Sequence, residues 1–127
     1  MIILGRTVPD ELVDAILGRH PVTFSYTRQP LTSAPRLVRP HALYESSPGT
    51  ISLSGVQVSG PTSQASGGLP GWRLFDVAMI ADLEVQPGVF EPDRAFRPRS
   101  PRFGRLIVDC RNGWAEPSGP DRGGASG

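Results

Sequence analysis

Lysine is absent from this chain of 127 residues, so all 13 basic side chains are arginines, set against 12 acidic residues. A genome rich in G and C is the ordinary cause of such a bias. Each basic position nevertheless carries a planar guanidinium, which suits phosphate, carboxylate or an aromatic face. The charges are unevenly spread. Residues 82–93 hold four acids and no base, whereas residues 94–111 hold six arginines and a single acid.

Cysteine and histidine are also scarce, which limits the chemistry available. Cys110 is the single cysteine, so no disulfide can form within the chain and a reducing, cytoplasmic location is expected. His20 and His41 have no neighbours at the spacing of metal ligands. Phosphate-binding loops, dinucleotide-binding glycine patterns and nucleophile elbows are missing. We therefore expect a protein that is not an enzyme and that uses no cofactor and no metal.

Long apolar runs are missing as well. No stretch approaches the roughly 20 residues of a membrane-spanning helix, and the opening MIILG lacks the basic leader of a secretory signal. We expect no membrane partner. Glycine (15) and proline (14) are abundant, which favours short strands and turns over long helices. The length is that of one domain.

One helix and several short strands are predicted. In TVPDELVDAILGRHP the apolar residues recur at helical spacing, Thr7 suits the N-cap, and Gly18 and Pro21 suit the end. Strands are predicted over residues 22–27, 36–45, 50–60, 72–85 (bending midway) and 105–110. For residues 78–85 a helical turn is the alternative. Pro40 and Gly55 indicate an edge or a bulge. The pattern predicts a mainly β fold, a bent sheet or barrel with an N-terminal helix packed across it.

The remaining segments are predicted to be irregular. Residues 61–71 form a low-complexity loop and residues 90–104 are rich in proline and arginine. The segment 116–127 has too few apolar residues to bury a core and is expected to be a disordered tail. The folded domain is accordingly assigned to residues 7–110.

Three basic side chains lie inside apolar strands: Arg39, His41 and Arg73. If they meet on one concave face, they form a cationic pocket for a phosphate or a base. Alternatively they are rim residues, paired with Glu45, Asp76 or Glu84. The arginines of residues 94–111 have two interpretations as well. They form a nucleic-acid surface with Phe96 and Phe103 stacking on bases, or a solvated segment whose phenylalanines anchor it to the core.

The order of residues resembles the WYL domain family over roughly Pro9 to Pro98. A short amphipathic helix runs into VTFSY, and RLVRPHAL supplies an Arg-x-x-x-Pro-x-x-Leu pattern. After a turn, a strand and a polar loop, WRLFDVAMIADLEV supplies an Arg-x-Phe pattern followed by an isoleucine. The resemblance is a pattern of spaced residues rather than a single motif.

The resemblance implies a small SH3-like, Sm-like β-barrel that senses a ligand. It implies that a nucleotide or single-stranded nucleic acid binds in a basic groove, and that the signal passes to a DNA-binding partner in transcription control or phage defence. Carried over by position, the ligand site falls on Arg39, His41, Ser52, Gln57 and Arg73.

The chain departs from the family at the tripeptide that names it. Ile51 and Ser52 replace the tryptophan and the tyrosine, and Leu53 is kept. A serine has no aromatic face to stack on a base. The single helix before Val22 also leaves no room for a helix-turn-helix. The chain is then a stand-alone domain, one half of a two-protein system, or a domain that has lost its ligand site. A protein–protein interaction module on the same barrel is the alternative function.

Overall fold

A computed structural model of the chain describes residues 7–26, 34–61, 68–98 and 103–115. The described part contains one α-helix and seven strands. Their bounds are α1 (Val8–Gly18), β1 (Val22–Tyr26), β2 (Arg36–Ser47), β3 (Thr50–Ser59), β4 (Gly71–Asp76), β5 (Ile80–Val85), β6 (Arg105–Asp109) and β7 (Gly113–Trp114). The prediction of a mainly β fold with an N-terminal helix is confirmed.

Helix α1 begins and ends where its sequence indicates. The Thr7 hydroxyl accepts a hydrogen bond from the Asp10 amide at 3.2 Å, which caps the first turn. Arg19 ends the helix in the left-handed region, with φ of 59°. Leu12 and Ile16 are fully buried. Such burial stabilises the domain by about 1.5–3 kcal/mol for each side chain.

The sheet is antiparallel and is organised around β2. Its strand order is β4-β3-β2-β1-β5, and β6 pairs with the second half of β2 beyond the end of β1. Within the described residues no pairing joins β4 to β5. The sheet is therefore open, whereas the WYL resemblance implied a closed barrel. The edges of β4 and β5 are the two ends of the strand path.

A bulge in β2 places His41. The register with β3 pairs Pro40 with Gly55 and then Ala42 with Ser54, so His41 is the extra residue. A Cβ at Gly55 would lie 2.6 Å from the Arg39 carbonyl oxygen, so only glycine fits opposite the bulge. The bulge expected from Pro40 and Gly55 is confirmed.

The preferred prediction of one bent strand over residues 72–85 is wrong, because a 3₁₀ turn interrupts it, and the helical turn weighed as the alternative occurs only at the start of residues 78–85. The Asp76 carboxylate accepts a hydrogen bond from the Ala78 amide at 3.0 Å and begins a 3₁₀ turn over Val77–Met79. This cap ends β4 before β5 starts. Strand β7 was not predicted, because two residues carry no periodic signal. Residues 62–67 of the predicted loop, residues 99–102 and the predicted tail 116–127 lie outside the described residues.

The two faces of the sheet carry different aromatic clusters. Register and alternation place Phe75 and Leu53 on one face, here called the Phe75 face. On it, the Phe75 ring makes edge contacts with Phe24 and Tyr26 at centroid distances of 5.0 and 5.1 Å. Trp72, Leu74 and Ser54 lie on the opposite face, here called the Trp72 face. Residues 86–98 cover part of it without regular structure and insert Phe90 and Phe96. Phe96 is 2% exposed and Phe103 is partly buried against the core, so the interpretation of Phe96 and Phe103 as anchors is confirmed.

Candidate ligand-binding site

Arg36 is the most unusual polar residue on the Phe75 face. It is only 7% exposed although it carries a permanent charge. Its Cζ atom lies 5.3 Å from the centre of the Tyr26 ring and 5.9 Å from the centre of the Phe75 ring. The π faces attract the cation and offset part of the cost of removing it from water.

Hydrogen bonding satisfies Arg36 poorly. Its Nη1 donates to the Gln57 Oε1 over a long distance of 3.4 Å, whereas a guanidinium offers five N–H donors. Burial lowers the pKa of Arg36, the Tyr26 hydroxyl opposes this shift, and the charge of Arg73 adds to it. No acidic side chain among the described residues acts on that pKa. Arg36 is thus a buried cation without an acidic partner in the described part of the chain.

Gln57 holds Arg36 in place. Its side chain is completely buried. The Nε2 group donates to the carbonyl oxygens of Ser59 at 3.2 Å and Pro61 at 2.8 Å. These bonds fix the amide so that its oxygen faces the Arg36 guanidinium.

Arg73 brings a second cation close to Arg36. It is half-buried on β4, opposite Gly55 of β3. Its Nη1 donates to the Trp72 carbonyl at 2.8 Å and its Nη2 donates to the Gly68 carbonyl at 3.3 Å. By register Arg73 lies on the same face of the sheet as Arg36 and Gln57, and its charge contributes to the lowering of the pKa of Arg36. We call Arg36, Gln57 and Arg73 the cationic cluster, and its donor set suits an oxyanion.

His41 occupies the opposite side of the sheet and is fully satisfied. It is completely buried, and its ring centre lies 4.9 Å from that of Trp72, 5.0 Å from Phe90 and 5.2 Å from Phe96. Its Nε2 accepts a hydrogen bond from the Asp93 amide at 3.0 Å.

The hydrogen bonds of His41 also fix its protonation. A backbone amide only donates, so Nε2 carries no proton. Nδ1 must therefore be the donor to the Arg39 carbonyl, 2.9 Å away. Burial lowers the pKa of His41, which keeps the ring neutral. We call His41 and its three aromatic neighbours the histidine cluster.

The five residues predicted for the ligand site are divided between the two faces. Gln57 contacts Arg36, and Arg73 lies on the same face by register. Arg39, His41 and Ser52 lie on the Trp72 face by register and contact. Arg39 is exposed, and the buried Ser52 hydroxyl donates to the Ser46 hydroxyl at 3.2 Å near the β2–β3 turn. Their roles in binding stay predictions.

Arg36 is not among the residues predicted from the sequence, although one signal pointed to it. Arg36 is in phase with Val38 along β2, and it pairs with Phe24 of β1. A charged residue in the apolar phase of a strand points toward the core. Two of the three acids considered as alternative partners are engaged elsewhere, since Glu45 forms an ion pair with Arg105 at 2.5 Å and Asp76 caps the 3₁₀ turn. The third, Glu84, is exposed on β5.

Two further properties of the described residues limit the chemistry. No group of three or more His, Cys, Asp or Glu side chains among them is placed to hold a metal ion. The helix they contain is too short and too polar to cross a bilayer.

Comparison with known proteins gives one informative likeness. No family model and no curated protein match the chain. Among solved structures, it is similar to proteasome accessory factor B/C (PafBC) of Arthrobacter aurescens, with a TM-score of 0.57 and 24% identity. The match covers 72% of this chain and 13% of PafBC. The likeness therefore concerns the fold of a small part of a longer protein.

Proposed function

We propose that this chain is a WYL-like regulatory module that binds a phosphate-bearing ligand through the cationic cluster. The ligand is a nucleotide or a short single-stranded nucleic acid, and the output passes to a DNA-binding partner protein that controls transcription or phage defence. One observation carries the proposal: Arg36 is 7% exposed and has no acidic partner among the described residues.

The charges of Arg36 and Arg73 support an anionic ligand. A buried charge without a counter-ion is costly, and here the neighbouring charge of Arg73 repels it. An oxyanion between Arg36 and Arg73 removes both penalties, because it supplies the opposite charge and accepts the N–H groups that Gln57 leaves unused. The fold shared with part of PafBC supports the WYL-like assignment at the level of fold only.

The other predicted residues take secondary roles in this proposal. His41 positions β2 through its bulge, and Ser52 positions the β2–β3 turn. Arg39 adds an exposed cation that attracts further phosphates on the opposite face.

The test is fluorescence anisotropy of labelled single-stranded DNA and RNA oligomers at low and moderate salt. Arg36→Met and Arg73→Ala should each weaken binding by about 1–3 kcal/mol, because each removes a charged donor. Arg94→Ala is the matched control, since Arg94 is exposed and outside the cluster; its effect should be small.

Two results contradict the proposal. Binding that falls with salt but ignores Arg36→Met and Arg73→Ala assigns the contact to the arginines of residues 94–111. Absence of binding at low salt removes nucleic acid as a ligand and favours the protein-interaction alternative.

The alternative function is favoured by the open sheet. Strands β4 and β5 end the strand path, and such edges accept a strand from a partner protein. A pull-down that recovers one protein, without competition from nucleic acid, supports this alternative.

A further inference from the structure

A groove lies on the Trp72 face along β4, and it shares Arg73 with the cationic cluster. Its volume is about 530 Å³, within the usual range for small-ligand sites. The lining combines aromatic rings, aliphatic side chains, two arginines and one hydroxyl: Ser54, Trp72, Arg73, Leu74, Ala95, Phe96, Arg97 and Phe103.

Trp72 is a supported aromatic platform in this groove. Phe96, which is 2% exposed, lies nearly parallel to its ring, with centroids 5.9 Å apart and an interplanar angle of 16°. His41 contacts the same ring at 4.9 Å. These contacts fix the indole on one side and leave it 37% exposed. A ring already held in place loses little conformational entropy when a ligand stacks on it.

Ser54 is a buried polar group in the groove wall. It is 4% exposed, and its hydroxyl makes no hydrogen bond within the part of the chain that the structure describes. A buried hydroxyl is normally satisfied, so this one marks a position where a ligand donor or acceptor fits.

The charged side chains around the groove are positive, so they favour a ligand with a negative charge. The two charged lining residues are Arg73 and Arg97. Nη1 of Arg97 donates to the carbonyls of Arg94 and Phe96, at 3.1 Å each, which holds this exposed guanidinium beside the aromatic platform. An aromatic platform, a hydroxyl and cations together match a base with its phosphate.

We infer that this groove is a nucleobase subsite, in which a base of single-stranded nucleic acid stacks on Trp72 and bonds the Ser54 hydroxyl. Arg97 faces the adjoining phosphate. The inference rests on the proposed function, since β4 is the end strand and one ligand can cross it from the cationic cluster to the groove.

The experiment compares two labelled single-stranded DNA oligomers of equal length, one with bases and one abasic, by anisotropy at moderate salt. Wild type should bind the base-bearing oligomer about 5- to 150-fold more tightly. Trp72→Leu should remove this preference, and Trp72→Phe should restore most of it. Trp114→Leu is the matched control, because Trp114 is 60% exposed on β7 and outside the groove.

A second variant protects the test against misfolding. Leu74 lines the groove and is 48% exposed, so Leu74→Ala should leave the fold intact while it lowers the preference for bases. A preference that survives both Trp72→Leu and Leu74→Ala overturns the subsite.

The remaining outcomes separate the subsite from the proposed function. Equal binding of both oligomers to wild type, still weakened by Arg36→Met, overturns the subsite and leaves the anion site intact. If neither oligomer binds, adenosine is used as the probe of the subsite, because it carries a base and no phosphate. Adenosine should quench the fluorescence of Trp72 in Trp114→Leu. Unchanged fluorescence at millimolar adenosine overturns the subsite.

Discussion

Arg36 and His41 are two basic side chains of the same strand, both buried among aromatic rings, and they are satisfied to opposite degrees. His41 uses both ring nitrogens in bonds of 2.9 and 3.0 Å to backbone groups. Among the described residues Arg36 makes one long side-chain hydrogen bond, of 3.4 Å, to Gln57. Histidine becomes neutral by losing a proton, whereas arginine stays charged. A buried basic side chain whose hydrogen bonds are all made, such as His41, stabilises the fold. A buried basic side chain with unused N–H donors, such as Arg36, indicates a ligand site.

The largest expected effect falls on the histidine cluster. His41→Ala should lower the free energy of unfolding by about 2–4 kcal/mol, because it leaves a cavity among three rings and an unpaired Asp93 amide. Urea denaturation followed by circular dichroism measures the loss. The matched control is His20→Ala, since His20 is only partly buried, and its loss should stay below about 1 kcal/mol. Equal losses in the two variants would contradict a special role for His41.

Low pH should also lower the free energy of unfolding through the histidine cluster, but by less than His41→Ala lowers it. Burial lowers the pKa of His41 in the folded chain; Asp93 opposes the shift, and Arg39 and Arg111 add to it. The unfolded chain therefore takes up the proton more readily. The contribution of His41 to the free energy of unfolding should have its full value above about pH 6.5. It should decrease as the pH falls below that value.

Urea denaturation between pH 5 and pH 8 tests this dependence. The fall toward pH 5 should be steeper in wild type than in His41→Gln, which cannot titrate at that position. Identical slopes would show that His41 binds its proton equally well in both states.

A smaller effect is expected where residues 86–98 meet the sheet through Tyr44. The Tyr44 hydroxyl donates to the Pro98 carbonyl at 2.5 Å, and burial raises the pKa of that hydroxyl to about 12. Tyr44→Phe removes this bond and keeps the ring. Thermal and urea unfolding should show a loss of about 0.5–1.5 kcal/mol. A loss near zero would mean that the bond does not fasten this segment.

The smallest effect on stability is expected at the cationic cluster. Arg36→Met should change the free energy of unfolding by less than about 1 kcal/mol, because an apolar side chain of similar length replaces a charge that has no acidic partner in the described ranges. Urea denaturation in a buffer without phosphate measures it. A loss as large as that of His41→Ala would show that Arg36 serves the fold, and the contrast between the two bases would disappear.

Local patterns predict much of this fold and little of its site. The cap at Thr7, the alternation in β1 to β3 and the bulge at Pro40 depend on neighbouring residues, so they can be read from the chain. The contacts of Arg36 and His41, by contrast, come from residues that are distant in the sequence. The Asp93 amide reaches His41 across 52 positions, and Phe75 reaches Arg36 from another strand. Sequence spacing grouped Arg39, His41 and Arg73, whereas the strand register places Arg36, Gln57 and Arg73 on one face of the sheet.

The most direct test of an anion site at Arg36 compares the urea midpoints of wild type and Arg36→Met. Each is measured in sodium phosphate and in sodium chloride of equal ionic strength. An anion that binds only the folded chain raises stability in proportion to RT ln(1 + [L]/Kd). We expect phosphate to raise the wild-type midpoint above its chloride value, and to raise that of Arg36→Met only by the general salt effect. Equal phosphate shifts in both proteins would contradict an anion site at Arg36.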